Sequence, residues 1–417
     1  MNASSFPLGW DDVERLRRGA RNAMYDCIVV GAGPAGSATA YHLAKQGHSV
    51  LMLEAASLPR YKPCSGAVSP SVAQYFDLDF APAIDSQRRQ VRYTYQLDDP
   101  IDAALETAEP IWMVRREVFD QFLVEQAQKQ GAEVKDGTPV TGIALTGDQW
   151  QVSTPNGVFT AAYLVAADGA QGPMAGWLGF PALPLRMATV LEVSTADPVP
   201  DTFPISFEFG LVKQGCLWNF PKRQGYSIGA AAFVGKVAVG KAADKVTAGY
   251  QSALASYCQT IGVDLAQAHT YHHALKLWDG QHSLHTERAV LVGEAAAIVD
   301  PLSSEGIRPG MISGVKAAAA IHRALSGETD ALATYTADMQ TSWGADMQWA
   351  KRISGLFFRV PGIGYRVGIK RPTATQRLGQ ILAGEVQYAD IANRVMKRLG
   401  GGLIPGLSES SQYSSHS

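Results

Sequence analysis

A glycine-rich turn between two short apolar runs restricts the fold of this chain more than any other feature. Tyr25–Val30 reads as a buried strand, and Gly31-Ala32-Gly33-Pro34-Ala35-Gly36 follows it at once. A helical segment then runs through Ala40, Leu43 and Ala44 to a stop at Gly47, and a second apolar run, 48–54, ends in Glu54. Strand, GxGxxG turn, helix, strand and terminal acid form a βαβ unit of about thirty residues. The spacing predicts dinucleotide binding. Gly31 permits the tight turn, Gly33 lets a pyrophosphate approach the backbone, and Gly36 lets the helix pack close to the strand. The helix N-terminus offers free N–H groups and a positive dipole end to phosphates, and Glu54, eighteen residues after Gly36, can accept ribose hydroxyls.

Two later apolar runs also end in an acid: 163–168, with Gly169 after Asp168, and 289–294, with Gly293 before Glu294. Both are expected as parallel strands whose carboxyl ends point at a ligand. Lying so far downstream, they favour FAD over NAD, because a long flavin needs its ribityl chain and ring held. Residues 185–285 change character, with β-rich stretches at 204–209 and 226–233 between Gly, Pro and Gln turns, which predicts a separate antiparallel sheet. After Gly310 the chain turns helical around 316–324 and ends in a basic segment. A chain of 417 residues exceeds what one core supports, so two or more lobes are expected.

Composition excludes several classes. With 46% hydrophobic and 18% charged residues and a net charge of -2, neither global disorder nor nucleic-acid binding is indicated. Cys27, Cys64, Cys216 and Cys258 form no CxxC pair, so a disulfide framework and a zinc site are not expected, and a reducing compartment is. No apolar stretch reaches signal-peptide or membrane-span length, which predicts a cytoplasmic protein, peripheral to a membrane at most. Residues 351–398 carry ten Lys or Arg against Glu385 and Asp390, a charge of +8 that leaves -10 for the rest. With Leu356, Phe357 and Phe358 interrupting the charges, this segment suits either an anionic membrane surface or a solvated helical face.

At Arg60-Tyr61-Lys62-Pro63-Cys64-Ser65-Gly66, Arg116-Glu117-Val118-Phe119-Asp120 and Trp218-Asn219-Phe220-Pro221 the chain resembles the geranylgeranyl reductase family, FAD enzymes of para-hydroxybenzoate hydroxylase-like fold. The resemblance spans roughly residues 25 to 400. It implies an α/β architecture: a Rossmann-type FAD-binding domain (25–80, 108–182 and 286–330), an inserted antiparallel substrate domain (81–107 and 183–285) and a C-terminal helical region (331–405), flanked by an N-terminal extension (1–24) and a disordered tail (406–417). Cofactor contacts are implied for Gly31, Gly33, Pro34, Ala35, Gly36, Glu54, Arg60, Arg116, Val140, Asp168, Gly169, Gly293, Glu294, Asp300, Gly306 and Ile307. The Cys64 loop is implied beside the reactive flavin face, with Cys64 and Tyr61 as candidate catalytic groups, and Cys216, Trp218, Phe220 and Pro221 as walls of a prenyl pocket. Two positions depart from the family pattern: Glu294 stands where aspartate is usual, and Cys216 where a tyrosine is usual.

The implied activity is reduction of carbon–carbon double bonds in a geranylgeranyl-type chain, such as that of a chlorophyll, tocopherol or lipid precursor, with NAD(P)H a transient electron donor. A flavin monooxygenase of the same fold and a non-catalytic flavin or lipid carrier remain alternatives, since function belongs to the site. Three motifs receive plainer readings. Gly225-Tyr226-Ser227-Ile228-Gly229 matches the hydrolase GxSxG but lacks a helix-start signal after it. His269, His272 and His273 lack metal-type partners, so polar packing is expected. Gly362-Ile363-Gly364 places its third glycine, Gly368, one residue late for a second dinucleotide loop.

Overall fold

The βαβ unit folds as its spacing predicts. In the computed structural model, which describes residues 24–238, 241–280 and 282–392, strand β1 (Tyr25–Val30) leads through Gly31 into helix α1 (Pro34–Lys45) and strand β2 (Val50–Leu53). Gly47, at φ +84°, turns the chain out of α1, a conformation glycine adopts without strain. Strand β1 pairs in parallel with β2 on one side and with β3 (Gly157–Ala166) on the other, and β3 pairs in parallel with β4 (Ala289–Leu291). Ile28 thus stands between Leu51 and Leu164. Burial on both faces explains why these strands read as unbroken apolar runs. Helix α1 packs against α2 (Arg116–Lys129) and α3 (Ile307–Leu325). The crossing with α3 is close: a Cβ on Gly314 would stand 2.3 Å from the Ala35 carbonyl oxygen.

A second, seven-stranded sheet runs in the order Ala268–Leu275, Arg186–Ser194, Gly225–Ala232, Gly215–Lys222, Ile205–Phe209, Gln90–Tyr95, Asp98–Ala104. It is not purely antiparallel as expected. Ile205–Phe209 and Gln90–Tyr95 pair in parallel, because the two strands come from separate stretches of chain and no hairpin fixes their direction. The β-rich stretches begin one residue away from their sequence limits, at Ile205 and Gly225. One face of the sheet carries Leu217, Ile228 and Ala230 against Leu254 and Tyr257 of the helix Lys241–Thr260. The opposite face carries Tyr93, Phe209, Cys216 and Phe220.

That opposite face is capped by the C-terminal helices, which include Ala345–Phe357 and Pro372–Leu382. Not all of the apolar residues that interrupt the basic run are at the surface: Phe358 is only 3% exposed, packed with Phe209 and Phe233, and Phe357 meets Phe209 edge to face. The two aromatics belong to the core, and only Leu356 of that trio faces solvent. The expected extension before Met24, the serine-rich tail and the cations Arg394, Lys397 and Arg398 lie outside the described residues. No helix among the described residues is long and apolar enough to cross a membrane.

Candidate functional site

A cavity of about 840 Å³ lies between the two sheets. Its walls change character along its length. At one end stand Gly33, Pro34, Ala35, Gly169, Gly293 and Glu294, and at the other Tyr93, Phe207, Cys216, Trp218, Phe220 and Phe358. The dinucleotide turn and the aromatic strands, distant in sequence, thus share one volume.

The three motif glycines have different reasons for being glycine. A Cβ on Gly31 would stand 2.3 Å from Ala167 O, and Gly31 sits at φ +107°. A Cβ on Gly36 would stand 2.0 Å from Gly31 O. The fold itself demands both. A Cβ on Gly33 would meet nothing nearer than Arg60 Nη2 at 3.8 Å, so packing leaves that position free and the open space faces the cavity. Helix α1 begins there with no side-chain cap and no acid in its first turn, leaving N–H groups for an anion. Asp168, at the end of β3, accepts the Met174 N–H at 2.9 Å through Oδ2, while its buried Oδ1 has no protein partner. Burial pushes the Asp168 carboxyl above its ordinary range. An uncapped helix and an unneeded glycine facing one space fit a bound dinucleotide, whereas Asp168, expected as a cofactor contact, stands between the lining residues Ala167 and Gly169 without itself lining the cavity.

Glu54 closes the end of β2. Its Oε2 accepts the Ala32 N–H at 2.9 Å and Arg60 Nη2 at 3.3 Å, and its Oε1 accepts the Ala56 N–H. Arg60 also donates to Asp120 at 2.9 Å, and Asp120 holds Arg116 through two bonds of 2.7 Å. Arg60 and Arg116, 56 positions apart in the sequence, are therefore joined through one buried carboxylate. Arg116 and Cys64 both line the cavity. Val140 lies on the Glu54 side, two residues after Thr138, whose N–H donates to Glu54 O, and it does not line the cavity.

The Cys64 loop is pinned from below. Lys222 donates to the carbonyl oxygens of Ser65 and Val114, the latter at 3.0 Å, and burial pushes its ammonium pKa down. Cys64 itself lines the cavity. Tyr61 does not. It is 40% exposed, its ring packs on Tyr271, and its hydroxyl donates to Glu192 at 3.1 Å; four residues of loop turn it onto the outside of the wall. Glu192 also accepts Ser227 Oγ at 2.8 Å, and burial raises its carboxyl pKa. Ser227, the serine of the GxSxG motif, lies within a strand and is fully buried, so it serves this bracing and no nucleophile elbow.

Glu294 is held by two cavity-lining groups, Lys62 at 3.4 Å and His273 at 3.2 Å. Burial works against its charge, but Lys62 and His273 outweigh that and hold its pKa down at about 2. Asp300 also departs from a direct cofactor contact. Its Oδ1 accepts the N–H groups of Leu302 and Ser303, its Oδ2 takes the Tyr388 hydroxyl at 2.7 Å, and it shapes the turn without lining the cavity. Gly306 and Ile307 do line it, at the uncapped start of α3, which has no acid in its first turn.

In the strand Gly215–Lys222 the side chains alternate. Cys216, Trp218 and Phe220 face the cavity, whereas Pro221 is buried away from it. The expectation for Pro221 therefore fails by parity. Trp218 lies flat on Gly229, where a Cβ would stand 2.2 Å from the indole. Two polar atoms of the chamber wall, Tyr93 Oη and Trp218 Nε1, are buried without a protein partner. Sequence reasoning missed Tyr93, Phe207, Phe209 and Phe233: cross-strand pairing sets Phe207 beside Trp218 and Tyr93, and Phe209 beside Cys216, while Phe233, just past its strand, stacks on Trp218. It also missed Lys62 and His273 as partners of Glu294. Of His269, His272 and His273 only His273 lines the cavity; strand alternation sets His272 apart but does not distinguish His273 from His269.

Known proteins resemble this chain over much of its length. The family model described as FAD binding domain matches residues 24–348. The digeranylgeranylglycerophospholipid reductase 2 of Methanothermobacter thermautotrophicus is 28% identical over 79% of this chain and 84% of its own. The geranylgeranyl diphosphate reductase of Rhodobacter capsulatus is 29% identical over 68% and 71%. Among solved structures, a geranylgeranyl bacteriochlorophyll reductase-like protein of Thermoplasma acidophilum superposes with a TM-score of 0.67 at 20% identity, covering 90% of this chain and 96% of that one. A flavin-dependent brominase does so with 0.69 at 18% identity, covering 91% and 100%.

Proposed function

The chain belongs to the FAD-binding domain family, and from that premise we propose that it reduces carbon–carbon double bonds of a prenyl chain. One observation carries the reading: the cavity runs unbroken from the dinucleotide turn at Gly33 into a chamber of aromatic and aliphatic side chains. The names of the similar reductases point to the same substrate class. The fold it shares with a brominase says nothing of activity on its own.

The backbone at Gly33–Gly36, Glu54 and Arg60 would hold the adenosine and diphosphate, and Gly169, Glu294 and the start of α3 the rest of FAD. When bound and reduced, FAD supplies a hydride equivalent, renewed in this proposal by NAD(P)H. The chain's own residues have three tasks. Trp218, Phe220, Phe207 and Phe233 exclude water and orient an isoprenoid, which matters because an isolated alkene is hard to polarise and its placement must lower much of the barrier. Lys222 and Glu192 hold the loop that presents Cys64. Cys64 offers a thiol proton at the cavity wall.

The test is anaerobic. Dithionite-reduced holoenzyme is mixed with geranylgeranyl diphosphate, flavin absorbance is followed, and the product mass is measured. Flavin reoxidation with a gain of two hydrogens per reduced double bond is the expected result. Reduced flavin that persists beside unchanged alkene, but oxidises with product formation once oxygen and an aromatic substrate are added, would replace this reading with the monooxygenase one.

A further inference from the structure

The three most exposed large apolar side chains among the described residues fall in one short stretch: Leu356 at 72%, Ile363 at 61% and Val367 at 57%. Single exposed apolar residues are ordinary on a protein surface, but a contiguous group of them is not. The segment has two faces. Phe358, Tyr365 and Ile369 are buried against the second sheet, and the outer side interleaves Val360, Ile363 and Val367 with exposed Arg359, Arg366 and Lys370. Between positions 351 and 371 there are six Lys or Arg and no acid. Of these, Lys370 is paired with Asp99 at 2.5 Å and Arg352 lies over Trp349.

The cavity reaches the surface at the same place. Of the residues that line it, only Val367, Arg371 and Thr373 are exposed. The mouth of a largely apolar chamber therefore opens within a patch that is itself apolar and flanked mainly by cations, of which Lys370 is paired with Asp99. That combination matches a bilayer surface, with apolar side chains entering the acyl boundary and cations meeting anionic headgroups.

We propose that the outer face of residues 356–367 docks on an anionic lipid bilayer and brings the cavity mouth against it, so that a lipid-soluble substrate enters without crossing water. What passes through the mouth rests on the prenyl reading; the docking does not. The test uses the full-length, FAD-loaded protein in flotation with vesicles of phosphatidylcholine, alone or mixed with phosphatidylglycerol, and without substrate. Wild-type protein is expected to float with the mixed vesicles, less so at high salt and less with phosphatidylcholine alone. Leu356→Glu combined with Ile363→Glu should weaken partition at least about tenfold, with flavin content and turnover of detergent-dispersed substrate unchanged. Failure of the wild type to float overturns the proposal, as does equal flotation of the double variant. A concentration-dependent dimer that the same variant abolishes would overturn it in favour of a second copy of the chain. Absence of prenyl turnover beside an intact flotation difference would count against the proposed reaction alone.

Discussion

Gly33→Ala separates a ligand requirement from a packing requirement. In the protein alone the new methyl would meet only Arg60, at 3.8 Å, and the backbone there is extended at φ -78°, so the apo fold should lose less than about 1 kcal/mol at this N-cap position. With a diphosphate over the first turn of α1 the methyl stands between the phosphate and the helix N–H groups. Losing two hydrogen bonds to a charged group costs about 3–6 kcal/mol, a weakening of Kd by about 10²- to 10⁴-fold. Gly36→Ala is the control, because its Cβ would overlap Gly31 O at 2.0 Å and should destabilise the apo fold by at least about 2–3 kcal/mol. The assay is FAD titration of each apoprotein by fluorescence quenching, beside urea denaturation of the same samples. A Gly33→Ala protein that binds FAD as tightly as the wild type would refute the reasoning, and so would one that unfolds as readily as Gly36→Ala.

Other outcomes follow from single residues. Glu294 has its folded pKa held near 2, below the ordinary 4.5, so the stability it lends is complete above pH 4.5 and disappears as pH falls toward 2. Urea stability of Glu294→Gln should lie about 2–3 kcal/mol below wild type at neutral pH, and the two curves should converge near pH 2; a constant gap would contradict the pairing with Lys62 and His273. Tyr93→Phe removes a buried hydroxyl that has no partner and should stabilise the apoprotein by about 1–2 kcal/mol, read as a rise in denaturation midpoint; a fall would mean that the hydroxyl is already satisfied. Cys64→Ala should retain FAD and lower alkene turnover at least about tenfold, measured by product mass under saturating donor; an unchanged rate removes the thiol from the reaction.

The legible parts of this protein are those whose physics is local. The βαβ unit could be read because the turn glycines, the apolar runs and the acid at Glu54 all act within thirty residues, and the period-two alternation that puts Cys216, Trp218 and Phe220 on one face was present in the motif. The same alternation should have removed Pro221, an odd-numbered neighbour whose side chain has to point the other way. Tyr93 and Phe207 were illegible for a different reason. Phe207 meets Trp218 across a neighbouring antiparallel strand whose register the sequence does not mark, and Tyr93 joins them only through the parallel pairing of its strand with Ile205–Phe209, more than a hundred residues away, which no window of sequence contains.

Charge and exposure were legible only as totals. The basic segment shows its surplus of cations in the sequence, but Leu356-Phe357-Phe358 gives no sign of which side chain faces water. The helix ends at Phe357, the chain turns, and the next helical stretch passes through a π turn at Tyr365–Ile369, so the phase carried from one helix does not extend to the next. Packing assigns Phe358 to the chamber wall, sets Val367 at the cavity mouth and leaves Ile363 outside. The consequence is chemical as well as geometric. The same short stretch supplies the inner wall that would desolvate an alkene and the outer apolar patch beside the mouth, so a substitution at Phe358 should alter turnover without altering vesicle binding, and one at Ile363 the reverse. Equal effects of both on both measurements would show that the two faces do not act separately.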